Sequence, residues 1–312
     1  KAKIVFKAHS FSNTSEGAAT LLEKITPYAS ELEIGMEATG HYWLSLYSFL
    51  VENHFVVHVI NPIQTDGWRK GTEIRKRKTD IIDSVLIADF IRYGDFFETS
   101  LADEDTISLR NLSRFRNYLV GSISDLKRKT ICVLDQTFPE YHSAFTDIFG
   151  KTSKELLLQF NSPSDYQDVT SEQLDELLSQ VTLKGFATKK LKDISSLAKT
   201  SFGITFCVDS FSFQLKLLIE QINFIEQQVS DVESQISELL KKINSLITTI
   251  PGIGDVTGAT ILGEIGDINR FSNASKLVAY AGIDATVSQS GEYESTNNRM
   301  SKRGSPYLRK AL

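Results

Sequence analysis

The sequence predicts an α/β layer followed by a chain that is almost wholly helical, and three observations carry that expectation. Short alternating or continuous apolar runs take turns with helical spacing up to Tyr93, a pattern of strands and helices that implies at least partly parallel pairing. From about Asp103 the apolar spacing is helical only. Further on, Leu215, Leu218, Ile222, Ile225, Val229, Val232, Ile236, Leu239, Ile243 and Leu246 keep a strict 3,4 alternation. A 3.5-residue repeat held over several heptads predicts a coiled coil, with an amphipathic helix buried against its own chain as the competing reading.

Taken in order, KIVFKA at 3–8 reads as a short strand. NTSEGAATLLEKITPYA reads as a helix opened by Asn13, Thr14 or Ser15 and broken near Pro27. ELEIGMEATG is a strand with Leu32, Ile34 and Met36 alternating, running out at Gly40. HYWLSLYSFLVENH is a helix, FVVHVI a buried strand, and Asn61–Pro62 a turn. A basic loop comes next, and then a helix from Asp80 to Tyr93 with Ile82, Val85, Leu86 and Phe90 on one side. The long helical segment ISLRNLSRFRNYLVGSISDLKRKTICVLDQTF stops before Pro139, and 150–205 reads as shorter helices and loops. The expected domains are an α/β domain over 1–100, a helical region over 101–205, a coiled coil over 206–248 and a small helical domain over 249–312.

With 312 residues there is length for two or three cores. No apolar run approaches the roughly 20 residues of a membrane span, and no secretory leader pattern is read. Cys132 and Cys207 have no metal-ligand spacing and suit a reducing cytoplasm. A net charge of −5 weighs against a nucleic-acid partner, but the distribution matters more than the sum. Arg69, Lys70, Arg75, Lys76, Arg77 and Lys78 cluster with only Glu73 against them. Arg299, Lys302, Arg303, Arg309 and Lys310 form a second cluster with no acid from residue 299 onward.

Asp80 and Asp83 directly follow the first basic run and share one helix face. Two such carboxylates suit a hard divalent cation, or they are solvated aspartates favoured by a helix N-terminus. Glu37, at the end of a strand, is placed where ligands of α/β sheets gather, or is an exposed strand-end residue. TTIPGIGDVTGATILGEIG reads as helix, tight glycine turn at Gly252 and Gly254, helix. Such an element either holds a backbone phosphate without reading bases or simply connects two helices. Ser288, Ser290 and Ser295 lie in a polar loop near cations, where a serine attacking phosphorus would need a base and surrounding positive charge.

In their order, MEATGHY, VINP, RKRKTDIIDSVLIA, IPGIGDVTGATILGEIGD, AGID and the SG…SKRGSPYLRKAL ending resemble the DEDD-type insertion-sequence transposases, relatives of the Piv-type DNA invertases. The resemblance covers nearly the whole chain. It implies an RNase H-like (RuvC-like) N-terminal domain, then a coiled coil, then a mostly helical transposase domain containing a helix-hairpin-helix-like element. It further implies Glu37, Asp80 and Asp83 as ligands of Mg²⁺ or Mn²⁺, and Ser290 as the nucleophile, with Ser288 its competitor. The partners it implies are DNA at the element ends and target, a noncoding guide RNA, and further copies in a dimer or tetramer. The expected setting is a bacterial or archaeal cytoplasm. The family's first aspartate, on a segment like GIDVSK, would fall just before Lys1, and a tail beyond the last basic stretch is also expected. A metal-dependent nuclease or junction resolvase without a catalytic serine is the alternative, and a non-enzymatic scaffold a third reading.

Overall fold

Capping and chain-breaking residues set the element limits in the computed structural model. It describes residues 8–72, 79–94, 96, 103–167, 169–170, 172–173, 176, 186–285, 289–290, 293–294 and 299–312, with only the backbone for 186–191, 289–290 and 293–294. The chain divides into two units, Lys1–Ala102 and Asp103–Leu312.

In the first unit, Thr14 caps α1 (Ser15–Ile25), its hydroxyl accepting from the Gly17 amide at 3.2 Å. Strand β1 (Glu33–Glu37) pairs in parallel with β2 (Val56–Ile60), Glu37 opposite Ile60, and α2 (Tyr42–Glu52) lies between them in sequence. Because side chains alternate along a strand, Met36 and Val59 face one way, packing with Ile25, Leu50 and Phe55. Gly35 faces the other way, where a Cβ would run into Ile87 and Ile91. Ile60 joins Phe90 and Ile91 on that second face.

The turn expected at Asn61–Pro62 is instead the start of a helix, α3 (Pro62–Thr72). The Asn61 side-chain oxygen accepts from the Ile63 amide at 2.9 Å, and proline at the first helical position gives up no needed donor. Arg69 and Lys70 are therefore on a helix rather than in the expected basic loop, whose remaining positions, 73–78, lie outside the described residues. Helix α4 (Asp80–Tyr93) begins as expected, capped by Thr79, and ends on Gly94 at φ 84°. The expected strand at 3–8 lies outside the described residues except for its last position.

The second unit is built on two long helices, α5 (Glu104–Thr137) and α9 (Val208–Ile243). They run antiparallel: Asp105 meets Lys242, Arg116 meets Glu233, and Lys127 meets Glu226. Leu109 packs with Ile236 and Leu240 at one end, and Leu134 with Leu215 and Ile219 toward the other. Much of the 3,4 stripe of α9 thus meets a helix of the same chain, while Leu246 stays 76% exposed. The small helices α6 (Tyr141–Ala144), α7 (Lys151–Gln159) and α8 (Phe186–Lys199) complete the larger core, where Tyr141 and Tyr166 are buried and burial raises both phenols.

After Asn244 ends α9, one 3₁₀ turn (Leu246–Thr249) and a glycine turn lead to α10 (Asp255–Ile265). The first arm of the expected hairpin element is that single turn rather than a second full helix. Then come α11 (Ala274–Ala281), a two-residue hairpin of β3 (Gln289–Ser290) with β4 (Tyr293–Glu294), and α12 (Pro306–Ala311). Gly263 of α10 sits so close to α5 that a Cβ would lie 2.7 Å from the Arg110 amide nitrogen. Ile261, Ala281 and Leu308 form the small core of this end.

Candidate functional site

Strand alternation puts Glu37 on the same sheet face as α3 and α4. There the buried Thr65 donates its hydroxyl to Glu37 Oε2 at 2.6 Å, and Thr39 donates to Oε1. One turn further along α3, Arg69 Nη2 donates to Asp83 Oδ1 at 2.9 Å. Thr65 and Arg69 are four residues apart, so they share a helix face, and α3 holds Glu37 and Asp83 on successive turns. Asp83 shares its own face of α4 with Ile87 and Ile91, the residues that meet Gly35. Asp80 stays exposed at the N-terminus of α4.

These are hard oxygen donors in a part-buried corner, the chemistry that Mg²⁺ or Mn²⁺ selects. Among the described residues no three His, Cys, Asp or Glu side chains group closely enough to hold an ion. Arg69 now neutralises Asp83, and its Nε is buried without a partner. Sequence reasoning missed Thr65, because a threonine after an Asn-Pro start carries no pattern of its own.

The cations are differently committed. Arg69 is only 15% exposed and turned to Asp83, whereas Lys70 is exposed and paired with Asp66 at 2.6 Å. Arg75, Lys76, Arg77 and Lys78 lie outside the described residues, as does Ser288. Lys302 and Arg303 are exposed, Arg299 is exposed, and Arg309 donates from Nη1 to the Ala281 carbonyl at 3.1 Å. Gly252 takes φ 89°, the left-handed conformation that its tight turn needs, and Gly254 is the N-cap of α10 with no capping side chain. Ser290 is paired with Tyr293 across the β3–β4 hairpin.

A second polar centre gave no sequence signal, since Glu264 sits inside an apolar helical segment. Its carboxylate is 1% exposed and accepts from Arg114 Nε at 2.6 Å, Arg114 Nη2 at 2.9 Å and Ser305 Oγ at 2.8 Å. The hydrogen bonds to Glu264 raise the Arg114 pKa, while burial lowers that of Arg110, which donates to the Gly263 carbonyl at 2.6 Å. This centre ties α5, α10 and α12 together.

Against known proteins, a family model described as Transposase, of the DEDD IS110 kind, matches residues 1–139. A second, described as Transposase IS116/IS110/IS902 family, matches residues 244–312. The chain is 24% identical over 309 residues to a pilin gene-inverting protein of Moraxella lacunata, covering 97% of this chain and 72% of that protein. The pilin gene-inverting protein of Moraxella bovis is also 24% identical, over 308 residues, with the same coverage. A Streptomyces coelicolor protein named for the IS117 mini-circle is 21% identical over 257 residues, covering 79% of this chain and 62% of that protein.

Proposed function

The chain belongs to the IS110 family of transposases, enzymes of DNA recombination, and from that membership we propose that it exchanges DNA strands through a serine–phosphate intermediate. In this reading Ser290 Oγ attacks a backbone phosphorus. The P–O bond to one strand breaks, a phosphoserine ester forms, and the freed deoxyribose oxygen leaves as a hydroxyl. A hydroxyl of the partner strand then attacks the ester and releases the serine.

The observation that carries the N-terminal half of the proposal is the holding of Glu37 and Asp83 on successive turns of α3 by Thr65 and Arg69. These acids, with Asp80 at the rim, would hold Mg²⁺ or Mn²⁺, which supplies Lewis-acid stabilisation of phosphoryl oxygens when bound. Thr65 orients Glu37, and Arg69 holds Asp83 in place until phosphate arrives. Lys70, the 75–78 run, Lys302 and Arg303 would lie along backbones, while pairing to a guide RNA would choose the bases. We place the reaction in a cytoplasm on the strength of the family membership alone. Further copies would join at the exposed Phe213 and Phe224 of α9, off the stripe that α5 covers.

The same pair of acids also favours a second reading, a metal-dependent nuclease that needs no serine. The two separate cleanly on element-end DNA with Mg²⁺. Serine exchange predicts that Ser290→Ala abolishes strand joining and cleavage alike, whereas the nuclease predicts cleavage that survives Ser290→Ala and is lost in Asp80→Ala.

A further inference from the structure

Ser113 is a buried hydroxyl of α5 without a partner. On that helix Ser122, Ser124, Thr130 and Thr137 each donate to the carbonyl four residues back, the usual resting place for such a group. Ser113 does not. Its residue is 5% exposed and its Oγ has no hydrogen-bond partner, a costly condition that a protein keeps only for a reason. It lines a cavity of about 120 Å³, several times the roughly 30 Å³ share of one liquid water, between α5, α10 and α12.

The rest of the lining is rich in donors and holds no carboxylate. Lys310, exposed at the rim, gives one proton to Asn117 Oδ1 at 2.7 Å, leaving two ammonium protons and the Asn117 amide protons. Arg116 is held in place by Glu233 at 2.7 Å. Thr257 lies in the first turn of α10, whose N-terminus carries no capping side chain and presents the positive end of the helix dipole. Tyr307 is fixed under the Arg114 guanidinium, 5.0 Å from its ring centre.

We infer that this cavity is a binding site for a phosphate oxyanion. Hydroxyl, amide and ammonium donors around a helix start are what phosphodiester oxygens accept from, and they position a backbone without reading its sequence. The source of the phosphate is a DNA backbone if the recombination reading above holds; free inorganic phosphate has the same chemistry.

The test uses the full chain and two probes. Thermal melting is followed in rising inorganic phosphate against chloride at matched ionic strength, and duplex element-end DNA is titrated by fluorescence anisotropy over a range of salt. Wild-type protein should show a saturable rise in Tm with phosphate. Ser113→Ala and Lys310→Gln should melt no lower in chloride, Ser113→Ala slightly higher, yet each should bind phosphate at least tenfold more weakly. Lys310→Gln should also flatten the log–log salt slope for DNA by about one. Phosphate binding lost in both variants with an unchanged DNA slope supports the site and names free phosphate as its ligand. A wild-type Tm indifferent to phosphate, or variants that respond as wild type does, overturns the site whether or not the chain binds DNA.

Discussion

Replacing Glu264 by glutamine should destabilise the second unit by about 2–3 kcal/mol. The wild-type carboxylate is 1% exposed and takes two charge-assisted bonds from Arg114, each worth about 1.5–3 kcal/mol, and one from Ser305. Glutamine keeps the volume and one acceptor, but turns an amide toward a donor and removes the charge. Arg114 is 46% exposed and regains water, and the glutamine oxygen still accepts one bond, which together hold the loss at or below the bottom of the summed range. Arg114→Ala should cost as much or more, because it leaves a buried carboxylate without its cation. Glu264→Gln added to Arg114→Ala should then cost little, or restore stability. Both tryptophans, Trp43 and Trp68, are in the first unit, so their fluorescence follows that unit while far-UV circular dichroism is weighted to the helices of the second. Urea titration should move the dichroism midpoint and leave the fluorescence midpoint within about 0.5 kcal/mol, the ordinary scale of a neutral substitution. A dichroism midpoint that stays within that same margin in Glu264→Gln would refute the clamp.

Two further outcomes rest on local hydrogen bonds. Thr65→Val keeps the shape of a buried side chain but removes the donor to Glu37, so strand cleavage should fall about tenfold, with a stability loss of about 1 kcal/mol measured by urea titration; unchanged cleavage would mean that Thr65 does not orient the acid. The Thr106 hydroxyl and amide hold the Asp103 carboxyl below its usual range, so its contribution to α5 is present above the unfolded value and is lost as pH falls through the lowered one. The stability difference between wild type and Asp103→Asn should accordingly shrink between pH 6 and pH 3, and a difference independent of pH would contradict that assignment.

Where local chemistry decides the structure, the sequence was readable. Thr14, Thr79 and Gly94 bound their helices at or near the expected positions, and β1 and β2 pair in parallel as the alternation implied. Asn61–Pro62 was legible too, but as a helix start rather than a turn, since asparagine before proline serves both. The 3,4 stripe of α9 announced its apolar face without naming the partner; that α5 covers much of it depends on contacts more than 100 residues away in sequence. Glu37, Asp80 and Asp83 stood out by position, yet only the fold separates them, turning Asp83 to Arg69 and leaving Asp80 in solvent. Thr65, Ser113 and Glu264 were unreadable for one reason: each acts through burial, and burial of a lone polar residue leaves no periodicity.

The central claim is most directly tested by trapping the serine ester. Full-length protein, with any RNA it retains, is mixed with labelled element-end DNA and Mg²⁺, denatured, and resolved for DNA covalently joined to protein. The account predicts a joined band whose DNA-linked peptide contains Ser290, absent in Ser290→Ala and retained in Ser288→Ala. Metal-dependent nicking without any joined band, undiminished in Ser290→Ala, would contradict it and give the chemistry to Glu37, Asp80 and Asp83 alone.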